Sequence, residues 1–131
     1  MKRVLIVDDS LSVREQLNQY VKEENRFQTD LAENGLEAFR KQKRKPYDII
    51  ITDLVMPEME GIELIMKIKK EFPETRIVAM SGANPLYRKM ALKVGADLEL
   101  EKPISQKTIN KAIHILSEYQ TSKTTDKYDL E

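Results

Sequence analysis

No cysteine occurs among the 131 residues, which excludes disulfides and thiolate zinc sites and fits a reducing compartment. Histidine occurs once, as His114, off the apolar stripe of the last helical segment. It reads as a solvent-facing structural residue. Neither charge sign is in excess, because 22 Lys plus Arg balance 22 Asp plus Glu. No global field therefore favours nucleic acid or an anionic membrane. Long apolar runs are also lacking. Four apolar residues follow Met1-Lys2-Arg3 before Asp8-Asp9, too few for a signal-peptide core, and no run approaches membrane-spanning length. The cytoplasm is the expected compartment, with no direct nucleic-acid or membrane partner. What remains is an ordinary globular composition, 40% hydrophobic and 34% charged, with enough chain to bury a core.

Strand-like and helix-like segments alternate five times. Strands are predicted over 3–7, 27–32, 48–52, 76–80 and 97–101. The helices are predicted near 11–24, 35–44, after Pro57 and Gly61 up to Pro73, from Asn84-Pro85 to Gly95, and over 105–119. Their inward stripes are Val13, Leu17, Tyr20 and Val21; Leu36, Ala38 and Phe39; Ile62, Ile65, Met66 and Ile68; Leu86, Met90, Ala91 and Val94; and Ile109, Ala112, Ile113 and Leu116. Asn84-Pro85 is a strong helix start, a capping residue before proline at the first helical position. The βα alternation predicts an α/β fold, a parallel sheet with helices on both sides. There is no internal repeat. Residues 1–120 read as one domain and 121–131 as a disordered tail without periodicity.

The apolar runs Val4–Val7 and Ile49–Thr52 have the continuous character of strands buried on both faces. In an open α/β sheet, ligands bind outside the carboxyl ends of the strands. Asp8 and Asp9 follow the first run, Asp53 the third, and Lys102-Pro103 the fifth. Neighbouring strands would bring all four charges into one crevice. The carboxylates there would repel by roughly 4 kcal/mol per pair at ~4 Å and an effective dielectric near 20. A divalent cation and the lysine ammonium would offset that, and carboxylate oxygens suit a hard ion such as Mg2+.

Each residue taken singly has an ordinary reading. An Asp pair after a strand caps helices, Asp53 could start a turn, Lys102 could be a solvated lysine, and Ser81 could cap the next helix. The basic run 40–45 complements a helix C-terminus. Methionines read as core filler, with Met56 and Met59 beside the acidic crevice. The conjunction across separate βα units is what carries the functional reading.

That conjunction resembles the receiver domains of bacterial response regulators, including the stand-alone chemotaxis type. It is carried by Asp8-Asp9, by Asp53-Leu-Val-Met-Pro57-Glu-Met-Glu-Gly61, by Ser81 and by Lys102-Pro103, and covers residues 2–120. The resemblance implies a doubly wound, flavodoxin-like sheet of five parallel strands in the order 2-1-3-4-5, flanked by five helices. It implies that Asp53 accepts a phosphoryl group from a sensor histidine kinase or phosphotransfer protein. Mg2+ would be held by Asp9, Asp53 and the Val55 carbonyl directly, and by Asp8 through water. Lys102 and Ser81 would contact the phosphoryl oxygens, and the Lys102–Pro103 bond would be cis. Output would pass to a downstream protein target through the fourth helix, fifth strand and fifth helix. The chain would be a signalling protein that catalyses only its own phosphorylation and dephosphorylation.

One residue departs from the family pattern. Glu99 stands three residues before Lys102, where the family usually has Tyr or Phe. Burying a lone carboxylate there would cost several kcal/mol. Glu99 is therefore expected to face solvent near a base such as Arg88 or Lys107, leaving Ser81 and residues 82–85 to carry the signal. Val55 and Ala83, two residues beyond Asp53 and Ser81, offer no polar side chain to orient a water. Replacing either Asp8 or Asp9 is expected to relieve like-charge repulsion in metal-free protein. Two rivals stand beside this reading: a receiver cut from a longer regulator or hybrid kinase, and an aspartate-nucleophile phosphatase. The second would need a substrate-covering cap and a general acid, and no insertion supplies either.

Overall fold

Alternating apolar residues on both sides of each strand build a sheet that is covered on both faces. The computed structural model describes residues 1–56, 59–82 and 84–118. The strands are β1 (Lys2–Val7), β2 (Phe27–Ala32), β3 (Ile49–Asp53), β4 (Arg76–Ser81) and β5 (Leu98–Glu101). They alternate with α1 (Leu11–Lys22), α2 (Gly35–Arg44), α3 (Gly61–Glu71), α4 (Pro85–Val94) and α5 (Gln106–Glu118). All pairings are parallel, and the order is β2-β1-β3-β4-β5, the doubly wound arrangement that the resemblance implies.

Successive side chains point to opposite faces of a strand, and the core divides accordingly. Val4, Ile6, Ile49, Ile51, Val78 and Met80 pack with Leu17 and Val21 of α1 and with Ile109, Ile113 and Leu116 of α5. Leu5, Val7, Ile50, Ile77 and Ala79 pack on the other face with Ala38 of α2, Leu64, Ile65 and Ile68 of α3 and Ala91 of α4. The register sets Val7 beside Thr52, Asp53 beside Met80 and Ser81 beside Glu101. Asp8, Asp53, Ser81 and Lys102 therefore leave the sheet along one edge.

Some boundaries and orientations differ from expectation. The first helix stops at Lys22, because Asn25 takes a left-handed φ of 56°, which Asn tolerates better than most residues. Asp53 is the last residue of β3, not the residue after it. Asn84 caps α4 through its side chain, with Pro85 at the first position, as expected. Leu86, Met66 and Met90 are exposed although periodicity placed them inward. Leu64, Ile65, Ile68 and Ala91 already fill the space beneath α3 and α4, and Met66 and Met90 are left on a groove. His114 is half-buried, with Nε2 2.6 Å from Glu24 Oε1, which corrects the solvent-facing expectation. No described helix is long and apolar enough to cross a membrane. The expected tail from 121 onward, Tyr119, Pro57 and Ala83 lie outside the described residues.

Candidate functional site

The carboxyl ends of β1, β3 and β5 converge on one acidic crevice. Oxygens of Asp8, Asp9 and Asp53 all lie within 4.8 Å of one another. Asp8 is fully buried and Asp53 nearly so, whereas Asp9 is exposed. The Lys102 ammonium reaches across, 2.8 Å from Asp8 Oδ2 and 3.3 Å from Asp53 Oδ2. The peptide bond joining Lys102 to Pro103 is cis, as the resemblance implies.

Backbone hydrogen bonds fix the carboxylates. The Ser10 N–H donates to Asp8 Oδ1 at 2.9 Å, so both Asp8 oxygens are engaged. The Leu54 N–H donates to Asp53 Oδ1 at 2.8 Å. Asp9 has no side-chain partner among the described residues, so its oxygens remain available. Gly61 lies against the Asp53 carbonyl, and a Cβ at Gly61 would sit 2.2 Å from that oxygen. Only glycine fits this close approach. A Cβ at Gly35 would likewise come within 2.0 Å of the Met59 carbonyl, so the start of α2 clamps the loop that follows Asp53.

Burial pushes the Asp53 carboxyl up from the usual range, and the neighbouring Asp8 charge adds to that. Lys102 and the Val55 N–H pull it back only in part. Burial opposes the Lys102 charge, but the Asp8 hydrogen bond and the charges of Asp53 and Asp8 outweigh it and hold that lysine above its ordinary value. The crevice thus has more negative charge than the Lys102 ammonium can satisfy. This all-oxygen donor set, without His or Cys, fits a hard divalent cation.

Ser81 is buried beside this cluster, its hydroxyl donating to the Gly82 carbonyl at 3.2 Å. Its own carbonyl accepts the Lys102 N–H at 2.7 Å, which ties the two residues together across β4 and β5. Val55 is exposed. Glu99 is half-buried, 3.5 Å from Arg88 Nη1, and Glu101 lies 3.6 Å from the same atom. The Arg88 partner is as expected; the openness to solvent is less than expected.

Sequence reasoning missed Arg14, whose Nη1 donates to the Asp8 carbonyl at 2.6 Å. A cation near the start of a helix opposes the dipole, and that anomaly was the available signal.

The response regulator receiver domain family matches residues 4–114. The chemotaxis protein CheY of Halobacterium salinarum is 35% identical over 113 residues, 86% of this chain and 93% of that protein. The transcriptional regulatory protein ResD of Bacillus subtilis is 33% identical over 82% of this chain, which spans only 44% of ResD. Among solved structures, a CheY-like receiver domain protein from Methanospirillum hungatei superposes with a TM-score of 0.88 at 26% identity, over 95% of this chain and 99% of that one.

Proposed function

The chain belongs to the response regulator receiver family, and from that premise we propose that it accepts a phosphoryl group on Asp53 and signals through a protein partner. The observation that carries this reading is the crevice itself. A nearly buried carboxylate at the end of β3 is flanked by two further carboxylates and one lysine. Receiver domains are signalling domains rather than enzymes with a separate substrate, and they work with kinases and downstream targets.

The donor would be a phosphohistidine of a sensor kinase or phosphotransfer protein. An Asp53 carboxylate oxygen attacks phosphorus, the P–O bond forms and the P–N bond breaks. The electron pair returns to the imidazole nitrogen, which takes up a proton. Such transfers depend mainly on positioning and on neutralising charge spread over the phosphoryl oxygens. Lys102 supplies a fixed positive charge beside Asp53. The Ser81 hydroxyl, now bonded only to its neighbour's carbonyl, is free to turn and donate to a phosphoryl oxygen. Asp9, Asp53 and the Val55 carbonyl would hold Mg2+, with Asp8 behind them because Ser10 and Lys102 already occupy its oxygens. When bound, Mg2+ offsets the negative charge that accumulates on the transferring group. Hydrolysis would return the protein to its resting form. Val55 places no polar side chain over the site for that step.

The proposed output face is α4, β5 and α5, reached from Ser81 through residues 82–85 into α4. The partial coverage of ResD supports a second reading, in which the same unit is the receiver of a longer regulator.

Intact mass after incubation with Mg2+ and a small acyl-phosphate donor tests the proposal. One hydroxylamine-labile phosphoryl group is expected, absent in Asp53→Asn and when Mg2+ is chelated. Full labelling of Asp53→Asn would overturn it.

A further inference from the structure

Beside the loop that follows Asp53, the groove between α3 and α4 carries a concentration of thioethers. About 590 Å3 in volume, it is walled by Met56, Met59, Ile62, Met66, Tyr87 and Met90. Four of the chain's six methionines therefore face one surface. Met66 is 54% and Met90 40% exposed, on opposite walls. Soluble domains seldom leave a contiguous apolar patch to water without a use for it. Methionine is unbranched and polarisable, and Met-rich surfaces repack around side chains of varied shape. A groove between two helices with apolar walls suits a third helix laying down residues at i, i+3, i+4 and i+7.

Charge selects the kind of helix. Glu60 and Glu63 line the same groove and are exposed, and neither forms an ion pair with any described residue. They leave the α3 rim negative and unneutralised. We propose that the α3–α4 groove is a docking surface for an amphipathic helix of a partner protein, with an apolar stripe against the methionines and Lys or Arg along the flank that meets Glu60 and Glu63. This surface stands independently of whether Asp53 takes a phosphoryl group.

The test uses the full chain labelled at the methionine ε-methyl carbons, titrated with a short helical peptide of leucine and lysine in heptad pattern. The control is the same peptide with glutamate for lysine. The Leu–Lys peptide is expected to shift the methyls of Met56, Met59, Met66 and Met90 while leaving Met80 and Met1 in place. The Leu–Glu peptide should bind at least about tenfold more weakly, a difference a single surface ion pair would not produce. Met66→Glu with Met90→Glu should remove the response, and both sites are exposed enough to take the charge without entering the core. Met66→Leu with Met90→Leu should retain it. Glu60→Lys with Glu63→Lys should transfer the preference to the Leu–Glu peptide. No methyl response at millimolar peptide, equal affinity for both peptides, or indifference to the charge reversal would overturn the proposal. Methyl shifts that change on dilution of the peptide-free protein would also overturn it, by assigning the groove to a second copy.

Discussion

Asp8 and Asp9 are adjacent in the chain and opposite in environment. Asp8 is fully buried, with its oxygens taken by Ser10 and Lys102, while Asp9 is exposed and unpartnered among the described residues. Removing Asp8 would therefore strip Lys102 of its closest counter-charge, and the expected relief of repulsion is offset. Asp9→Ala is expected to weaken Mg2+ binding by about tenfold or more, since losing even an outer partner of a metal ligand costs about that much, and more than Asp8→Ala does. Metal titration followed by intrinsic fluorescence of the five tyrosines checks this, and the reverse order would contradict the assigned roles. Asp53 carries a second residue-scale prediction. Burial and Asp8 raise its folded-state pKa, so its protonated form is the one that folding favours. Its contribution to stability is fully present below the ordinary carboxylate value near 4 and is lost as pH rises through the higher folded value. In metal-free protein, Asp53→Asn should thus melt higher than the parent at pH 7, on the order of 1 kcal/mol, and the gain should vanish in acid. Thermal melts across that pH range with a chelator present test it. Equal melting temperatures throughout would contradict it. At this scale the crevice was legible in advance, because each charge ends its own apolar run. Arg14 is less legible: a cation in the first turns of α1 is its one signal, and its partner is a backbone carbonyl six residues away.

The elements emerged from the sequence because most of their signals agree. Continuous apolar runs marked β1 and β3, and the 3.6-residue stripe of α5 is buried as read, at Ile109, Ala112, Ile113 and Leu116. The stripes of α3 and α4 are displaced from expectation: α3 buries Leu64 where Met66 is predicted, and α4 turns Tyr87 and Ala91 inward while Leu86 and Met90 stay exposed. Where several apolar phases compete, periodicity alone does not choose between them, and the approach of the neighbouring helix does. Hence Met66 and Met90, apolar and in phase, lie on a groove and not in the core. The link between α4 and β5 is an element-scale feature in its own right. Arg88 holds Glu99 and Glu101 together, with Glu99 at the position before Lys102 where the receiver resemblance leads one to expect an aromatic. Swinging Glu99 beneath α4 would break that pair and bury a charge, at a cost of several kcal/mol. With a beryllium fluoride adduct, amide shifts are expected along residues 81–94 while Glu99 keeps its partner. Changes confined to the Asp53 loop, or an adduct structure with Glu99 enclosed, would rule out that route.

For the molecule as a whole, the parallel order β2-β1-β3-β4-β5 does the positioning. Right-handed crossovers place α1 and α5 on one face and α2, α3 and α4 on the other, and the strand register delivers Asp8, Asp53, Ser81 and Lys102 to a single edge. The acidic crevice and the proposed output face then lie on different surfaces of one small domain, joined through β4 and the start of α4. The central claim is that Asp53, and neither of its acidic neighbours, receives the phosphoryl group. Borohydride reduces an acyl phosphate to the alcohol, so an aspartyl phosphate becomes homoserine. Peptide mapping after phosphorylation and reduction should find homoserine at position 53 alone. Homoserine at position 8 or 9, or an unreduced phosphate elsewhere in the chain, would contradict the account.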